Sequence, residues 1–119
     1  ITAANAEALS LGLEAGLPLE AMVRSLCDGS GESVVLSSYM GRYLDEGEYG
    51  VGLIGHDLMV KDISLACQAG DTTRSPMLFA ELARQLYAAA GRSQGALAMF
   101  PSIFDHFRQA AGDSSPAKK

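Results

Sequence analysis

The sequence predicts an all-α fold, a bundle of about six helices, and three observations carry that prediction. The chain has 119 residues, of which 48% are hydrophobic, so it can bury a single core. Ala, Leu, Met and Glu recur while Val, Ile and Thr are sparse, which favours helices over sheet. Apolar positions repeat at helical spacing between glycines and prolines that are typical of helix ends.

Two helices are predicted in the N-terminal quarter. The first spans residues 1–16 and ends at Gly16, where a left-handed residue is favoured. The second opens at Pro18, which suits a first helical turn, and ends near residues 28–29. The apolar face of the first helix is predicted to comprise Ala4, Ala8, Leu9, Leu11, Gly12 and Ala15.

A turn, a third helix and a loop follow. Residues 29–31 read Gly-Ser-Gly and form a connector, because a phosphate loop also needs a preceding strand and a following lysine. Ser33 can cap a third helix that runs through Met40. Residues 45–55 are rich in glycine and have no period, so they form a loop that lets backbone approach a ligand.

The central helix, residues 58–66, is predicted to be buried and carries one charged residue on its apolar stripe. Lys61 lies three residues after Leu58 and four before Leu65, so it shares their face. Two interpretations stay open. Lys61 forms a helical salt bridge with Asp57, worth a few tenths of a kcal/mol, or it is a cation that faces a ligand in a cleft.

The remaining elements are predicted from Gly and Pro positions. The central helix ends near Gly70, residues 71–74 form a linker, and residues 75–76 (Ser-Pro) cap and open a fifth helix that stops at Gly91. The last helix covers residues 96–110. The apolar positions predicted to pack in these two helices are Phe79, Leu82, Leu86, Ala90, Leu97, Phe100, Ile103, Phe104 and Phe107.

Residues 1–111 are thus predicted to form one helical domain, and residues 112–119 a disordered tail. The chain begins at Ile1 inside a helical pattern with no preceding cap, which predicts a fragment of a longer protein.

Composition argues against several function classes. The net charge is −5 and no basic cluster is present, so nucleic acid is not an expected partner. No apolar run is long enough for a membrane span, and no signal-peptide pattern is present. The two histidines lack metal-ligand spacing, so no metal is expected. Cys27 and Cys67 are predicted to be reduced, buried thiols, which fits a cytoplasmic protein.

Three strings in series resemble a known family, the C-terminal helical domain of the β-hydroxyacid dehydrogenases. This family includes 3-hydroxyisobutyrate dehydrogenase and 2-hydroxy-3-oxopropionate reductase and is related to 6-phosphogluconate dehydrogenase. The strings are Ala6-Glu7-Ala8-Leu9 with Leu11-Gly12 and Ala15-Gly16-Leu17, then Leu58-Met59-Val60-Lys61-Asp62-Ile63 with Leu65-Ala66, then Ser75-Pro76 with Leu82-Ala83 and Gln85-Leu86-Tyr87.

The resemblance implies an NAD- or NADP-dependent oxidoreductase that acts on a small hydroxy acid. It implies a Rossmann domain upstream as a partner and a homo-oligomer, a dimer, built by the helical domain. It assigns Lys61 a place against the cofactor and gives Asp62 the task of orienting that lysine. Ile54 stands where the family often has a phenylalanine beside the nicotinamide, so an apolar contact is retained without aromatic stacking.

The resemblance also implies that the catalytic lysine lies upstream of Ile1, so no catalytic residue is expected in this chain and the isolated chain is expected to be inactive. The Asp-x-Ser string of many members is missing, and residues 98–102 stand in its region. A stand-alone helical interaction module is the alternative function, with Lys61 merely paired to Asp57.

Overall fold

A computed structural model describes residues 1–50, 52 and 54–112, and these residues are helical or irregular apart from one isolated antiparallel bridge between Gly55 and Met99. The α-helices are α1 (Thr2–Glu14), α2 (Leu19–Cys27), α3 (Gly41–Glu46), α4 (His56–Thr73), α5 (Leu78–Gln94) and α6 (Ile103–Ala110). A π-helical turn (Leu36–Met40) runs into α3, and a 3-10 turn (Phe100–Ser102) runs into α6. The predicted all-α bundle is confirmed.

The helices form a body and a helical hairpin that extends from it. In the body, α1 packs on α2 and α6, and α2 packs on the π-helical turn and α3. In the hairpin, α4 packs mainly on α5, and α5 continues the contact to α6. The buried apolar residues of the shared core are Ala6, Leu9, Leu19, Val23, Leu36, Met40, Tyr49, Tyr87, Ala90, Phe100, Ile103 and Phe104.

The first two helices lie where the sequence places them, but the predicted apolar face of α1 is only partly buried. Gly16 has the expected left-handed backbone (φ 81°), and Pro18 immediately precedes α2. Leu9 and Gly12 are buried, whereas the remaining members of the predicted face, Ala4, Ala8, Leu11 and Ala15, are exposed. The apolar residues of α1 occur on several sides of the helix. Their spacing alone therefore does not indicate which side α6 covers.

The third helix begins as predicted but continues further. The amide of Leu36 donates to the Ser33 hydroxyl at 3.1 Å, which confirms the cap. Beyond the π-helical turn, α3 extends the helix past Met40 to Glu46. The irregular segment after Glu46 confirms the predicted loop, although its residues Val51 and Leu53 lie outside the described residues.

The prediction that the central helix is buried is wrong. Met59, Val60 and Ile63 pack against the core, while Lys61 and Leu65 are exposed. The cause is the tertiary arrangement, because α4 is covered mainly by α5 and keeps a second face toward solvent.

The predicted boundaries between α4 and α5 are also wrong. The helix α4 passes through Gly70 and the predicted linker to Thr73, since Gly70 is a packing position: a Cβ there would lie 2.2 Å from Met77 Cγ. Ser75 does not cap α5: its hydroxyl oxygen accepts a hydrogen bond from the Thr73 hydroxyl, and α5 starts only at Leu78.

The last part of the chain corrects three further expectations. Helix α5 does not stop at Gly91 but continues to Gln94. The last helix is shorter than predicted, because Pro101 lies in a 3-10 turn and α6 begins at Ile103. Leu97, predicted to pack, is 83% exposed. The predicted tail lies outside the described residues apart from Gly112.

The predicted apolar face of α5 is buried only near its C-terminal end. Ala90 is buried and Leu86 is half-buried, whereas Phe79 and Leu82 are exposed near the tip of the hairpin. The described helices include none with the length and apolarity to cross a bilayer.

Candidate functional site

The start of α4 is fixed to the segment that precedes α6. The amides of His56 and Asp57 donate to backbone carbonyls of residues 96–100, at 3.2 and 3.0 Å, and this segment donates back to the Ile54 carbonyl at 3.0 Å. A Cβ at Gly55 would lie 2.8 Å from one of these carbonyl oxygens. Glycine therefore allows the close backbone approach that positions the helix.

A buried side-chain pair reinforces this junction. The His56 Nε2 atom lies 2.9 Å from Ser102 Oγ, and the imidazole is fully buried. Its Nδ1 atom has no hydrogen-bond partner among the described residues. Burial lowers the pKa of His56, so the neutral imidazole is the form that the fold accommodates.

The N-terminus of α4 is therefore not an open anion site. Two amides of its first turn are bound to backbone carbonyls, and the Leu58 amide donates to the Asp57 carboxylate at 2.7 Å. An anion at this end would meet a carboxylate and amides that already have acceptors. Any phosphate near α4 must be held by a side chain.

Lys61 is the cation that α4 offers. Its Nζ atom lies 2.8 Å from Asp62 Oδ1, and the two side chains are 61% and 58% exposed. The Asp57 carboxylate accepts a hydrogen bond from the Leu58 amide, and Lys61 pairs with the next residue in the chain, so the salt bridge to Asp57 that the sequence suggested is replaced. An exposed pair of this kind contributes little to stability and leaves the ammonium accessible.

The predicted site residues lie just before α4 and within its first two turns. Ile54 immediately precedes the helix and is 40% exposed, and Lys61 lies seven residues further, about 10 Å along a helical axis. Leu58 and Leu65 flank Lys61 on its face at spacings of three and four residues. The arrangement combines a cation with an accessible apolar surface, the two features that a phosphate and an uncharged ring require.

The loop before α4 is anchored at its other end by a polar cluster. The Tyr49 hydroxyl donates to Asp105 Oδ2 at 3.1 Å. Asp105 Oδ1 lies 3.6 Å from Arg108 Nη1, and the Arg108 guanidinium lies 5.8 Å from the centre of the Phe104 ring. Burial raises the pKa of both Asp105 and Tyr49. Residues 49–56 are consequently attached at both ends to the region around α6.

Sequence reasoning did not identify these anchors. The sequence indicates no hydrogen-bond partner for His56 or His106, yet His106 Nδ1, like His56 Nε2, lies close to a serine hydroxyl, at 2.8 Å from that of Ser93. The His56–Ser102 and Tyr49–Asp105 partners are 46 and 56 residues apart in the chain. No local motif signals pairs at such separations.

The other reactive groups of the described residues form no organised centre. Among residues 1–50, 52 and 54–112, no group of three His, Cys, Asp or Glu side chains is placed to hold a metal ion. Cys27 and Cys67 are free and half-buried, and desolvation raises the pKa of both thiols. They are therefore poor nucleophiles at neutral pH.

Comparison with known proteins places the chain in a family. Residues 1–104 match the family model described as NAD-binding of NADP-dependent 3-hydroxyisobutyrate dehydrogenase. The chain is 33% identical over 93 residues to a 2-(hydroxymethyl)glutarate dehydrogenase from Eubacterium barkeri, covering 78% of this chain and 30% of the relative. It is 29% identical over 111 residues to the mitochondrial 3-hydroxyisobutyrate dehydrogenase of Mus musculus, covering 88% and 33%. The chain therefore spans about a third of the length of these relatives.

Proposed function

Because the chain belongs to the NAD-binding family of 3-hydroxyisobutyrate dehydrogenase-like proteins, we propose that it is the cofactor-contacting domain of an NAD(P)-dependent β-hydroxyacid dehydrogenase. The reaction is oxidation of the alcohol of a small hydroxy acid, or the reverse reduction. The relatives named above are dehydrogenases of hydroxymethylglutarate and hydroxyisobutyrate, which supports this substrate class.

One observation carries the proposal: the accessible ammonium group of Lys61 lies between apolar residues on an exposed helical face. Its nearest acidic partner, Asp62, neutralises it only in part because both side chains are more than half exposed. Leu65 and Ile54, 55% and 40% exposed, supply apolar surface beside it. A nicotinamide dinucleotide presents both anionic phosphate and planar apolar rings, so these residues fit it.

Each residue has a separate task in this proposal. Bound nicotinamide supplies or accepts the hydride. Lys61 holds an anionic part of the cofactor, Asp62 keeps the lysine side chain extended along α4, and Ile54 contacts an uncharged ring. The backbone hydrogen bonds to residues 96–100 fix the origin of α4, so Lys61 and Ile54 keep a constant spacing.

Two partners complete the proposed enzyme. A Rossmann domain binds the dinucleotide, and the lysine that transfers the alcohol proton belongs to the start of the first long helix, outside this chain, so the isolated chain has no dehydrogenase activity. A second copy covers apolar residues at the tip of the hairpin, where Leu78 and Phe79 are 79% and 89% exposed. We place the enzyme in the cytoplasm, consistent with the two free thiols.

The experiment replaces Lys61 in the full-length enzyme whose coding sequence contains this chain. Lys61→Ala is expected to weaken NAD(P) binding by ~tenfold or more, the loss of one charge-assisted contact, whereas Lys61→Arg retains most of it. Arg92→Ala, which removes an exposed cation from the last turn of α5, is the matched control. Unchanged cofactor affinity and turnover in Lys61→Ala would remove this role.

A further inference from the structure

A cleft apart from the Lys61 surface lies beside the π-helical turn, at the beginning of the glycine-containing loop. Its volume is about 330 Å³, the scale of a small organic molecule. Six residues line it, namely Val34, Ser38, Tyr39, Arg42, Tyr49 and Gly50. We call it the Arg42 cleft.

The cleft contains one cation whose charge is weakly compensated. Arg42 Nε lies 3.9 Å from Glu46 Oε2, at the limit of an ion pair, and both side chains are about half exposed. By contrast, Arg24 Nη2 lies 2.6 Å from Glu20 Oε1 in a pair with the same i,i+4 spacing. The guanidinium of Arg42 therefore has donors to offer to a ligand.

The backbone around Arg42 is adapted to hold its side chain in the cleft. Gly50 has a positive φ of 88°, and a Cβ at this position would lie 2.9 Å from Arg42 Nη1. Glycine thus permits both the turn and the close approach of the guanidinium. Tyr49, the preceding residue, is buried and hydrogen-bonded to Asp105, which fixes this wall.

The opposite wall comes from a rare backbone conformation. Ser38 and Tyr39 lie within the π-helical turn Leu36–Met40, and such turns occur frequently at functional sites because they reorient the side chains that follow. The Tyr39 ring packs edge-on against Phe100, with centroids 5.3 Å apart. Two hydroxyl-bearing residues therefore accompany the guanidinium, and Val34, 77% exposed, adds apolar surface.

From these observations we propose that the Arg42 cleft binds the carboxylate of a small hydroxy acid. A planar guanidinium matches a carboxylate in a two-point contact. A phosphate dianion is disfavoured, because a single arginine is present and Glu46 lies beside it. Ser38 and Tyr39 provide polar contacts for the rest of the acid, and Val34 for its alkyl part.

The identification of this acid as the substrate of the enzyme rests on the proposed function. Gly50, which lines the cleft, and Ile54, the contact proposed for the cofactor, are four residues apart, so their Cα atoms lie at most ~14 Å from each other. That separation allows one acid and one cofactor to occupy neighbouring positions. Carboxylate binding itself requires neither cofactor nor turnover.

The test is an NMR titration of the 119-residue chain with three probes: 3-hydroxyisobutyrate, its uncharged methyl ester and inorganic phosphate. Saturable shifts are expected at the amides of Ser38, Tyr39 and Gly50 with the acid, but not with the ester. Arg42→Gln should weaken acid binding by ~tenfold, and Arg42→Lys by less. Arg24→Gln, which removes the other i,i+4 arginine, should leave it unchanged.

Three results would overturn the proposal: equal binding of acid and ester, equal binding in wild type and Arg42→Gln, or tighter binding of phosphate than of the acid. Helical circular dichroism of each variant verifies folding, and Arg42→Lys reports on charge without the planar fork. The outcome is separate from that of the Lys61 experiment, which measures cofactor affinity. Either proposal can fail while the other stands.

Discussion

Replacing Gly55 by alanine tests whether the start of α4 is positioned by backbone contact with residues 96–100. The added Cβ would lie 2.8 Å from the Ala96 carbonyl oxygen and 3.0 Å from the Leu97 Cα atom. Both are backbone atoms, and hydrogen bonds to Asp57 and His56 hold this segment in place. Rotation of a side chain therefore cannot relieve the clash.

The expected cost follows from two opposing effects. Overpacking against backbone lowers the free energy of unfolding by ~1–3 kcal/mol. Alanine also restricts the unfolded chain, which raises the free energy of unfolding by ~0.4–1 kcal/mol. The net loss of ~1–2 kcal/mol corresponds, at an unfolding entropy of ~0.25 kcal/mol/K for 119 residues, to a fall in Tm of ~4–8 °C.

Thermal unfolding followed by circular dichroism at the helical band provides the assay. Gly41→Ala is the matched control, because a Cβ at Gly41 meets no atom within 4 Å and the residue has helical backbone. That variant should gain ~0.5–1 kcal/mol. A Tm for Gly55→Ala equal to or above that of the wild type would show that residues 96–100 can move away, and the argument for a fixed helix origin would be refuted.

Two further outcomes are expected. The pKa of His56 lies below its ordinary 6.5. The unfolded chain therefore binds more protons than the folded chain as pH falls, so the free energy of unfolding declines from pH 7 toward pH 5. His56→Gln should flatten the change in urea midpoint over this range, whereas an equally steep decline would contradict a buried neutral imidazole. Phe79→Ser removes a side chain that is 89% exposed at the hairpin tip. The substitution should shift the sedimentation equilibrium toward the monomer without lowering Tm, and Arg92→Ala is the surface control. An unchanged distribution would argue against self-association through this face.

The helical class and most helix starts follow from local features of the sequence. Gly16, Pro18 and Ser33 act locally, through backbone conformation and capping, so their effects can be read without knowledge of the fold. Three strings in series, one of them around Lys61 and Asp62, indicated the family that the comparison confirmed.

Local signals for helix ends failed at the turn between α4 and α5, where neighbouring residues make other contacts. Gly70 does not end α4 because Met77 packs against it, and Ser75 does not cap α5 because its hydroxyl is bonded to Thr73. The periodicity of α4 correctly located apolar residues but could not say which face α5 would cover. The spacing of hydrophobic residues indicates that a segment is helical, whereas the burial of each face depends on the elements that pack against it.

The candidate site likewise contains residues that the sequence indicated and contacts that only the structure shows. Spacing singled out Lys61 on the apolar stripe of α4, and the family resemblance, carried by strings of neighbouring residues, assigned roles to Asp62 and Ile54. Only the tertiary structure brought His56 to Ser102 and placed Arg42 against Gly50, because the first pair is 46 residues apart and the second depends on the turn of a loop. Contacts between distant segments depend on how the helices pack, which no local pattern encodes.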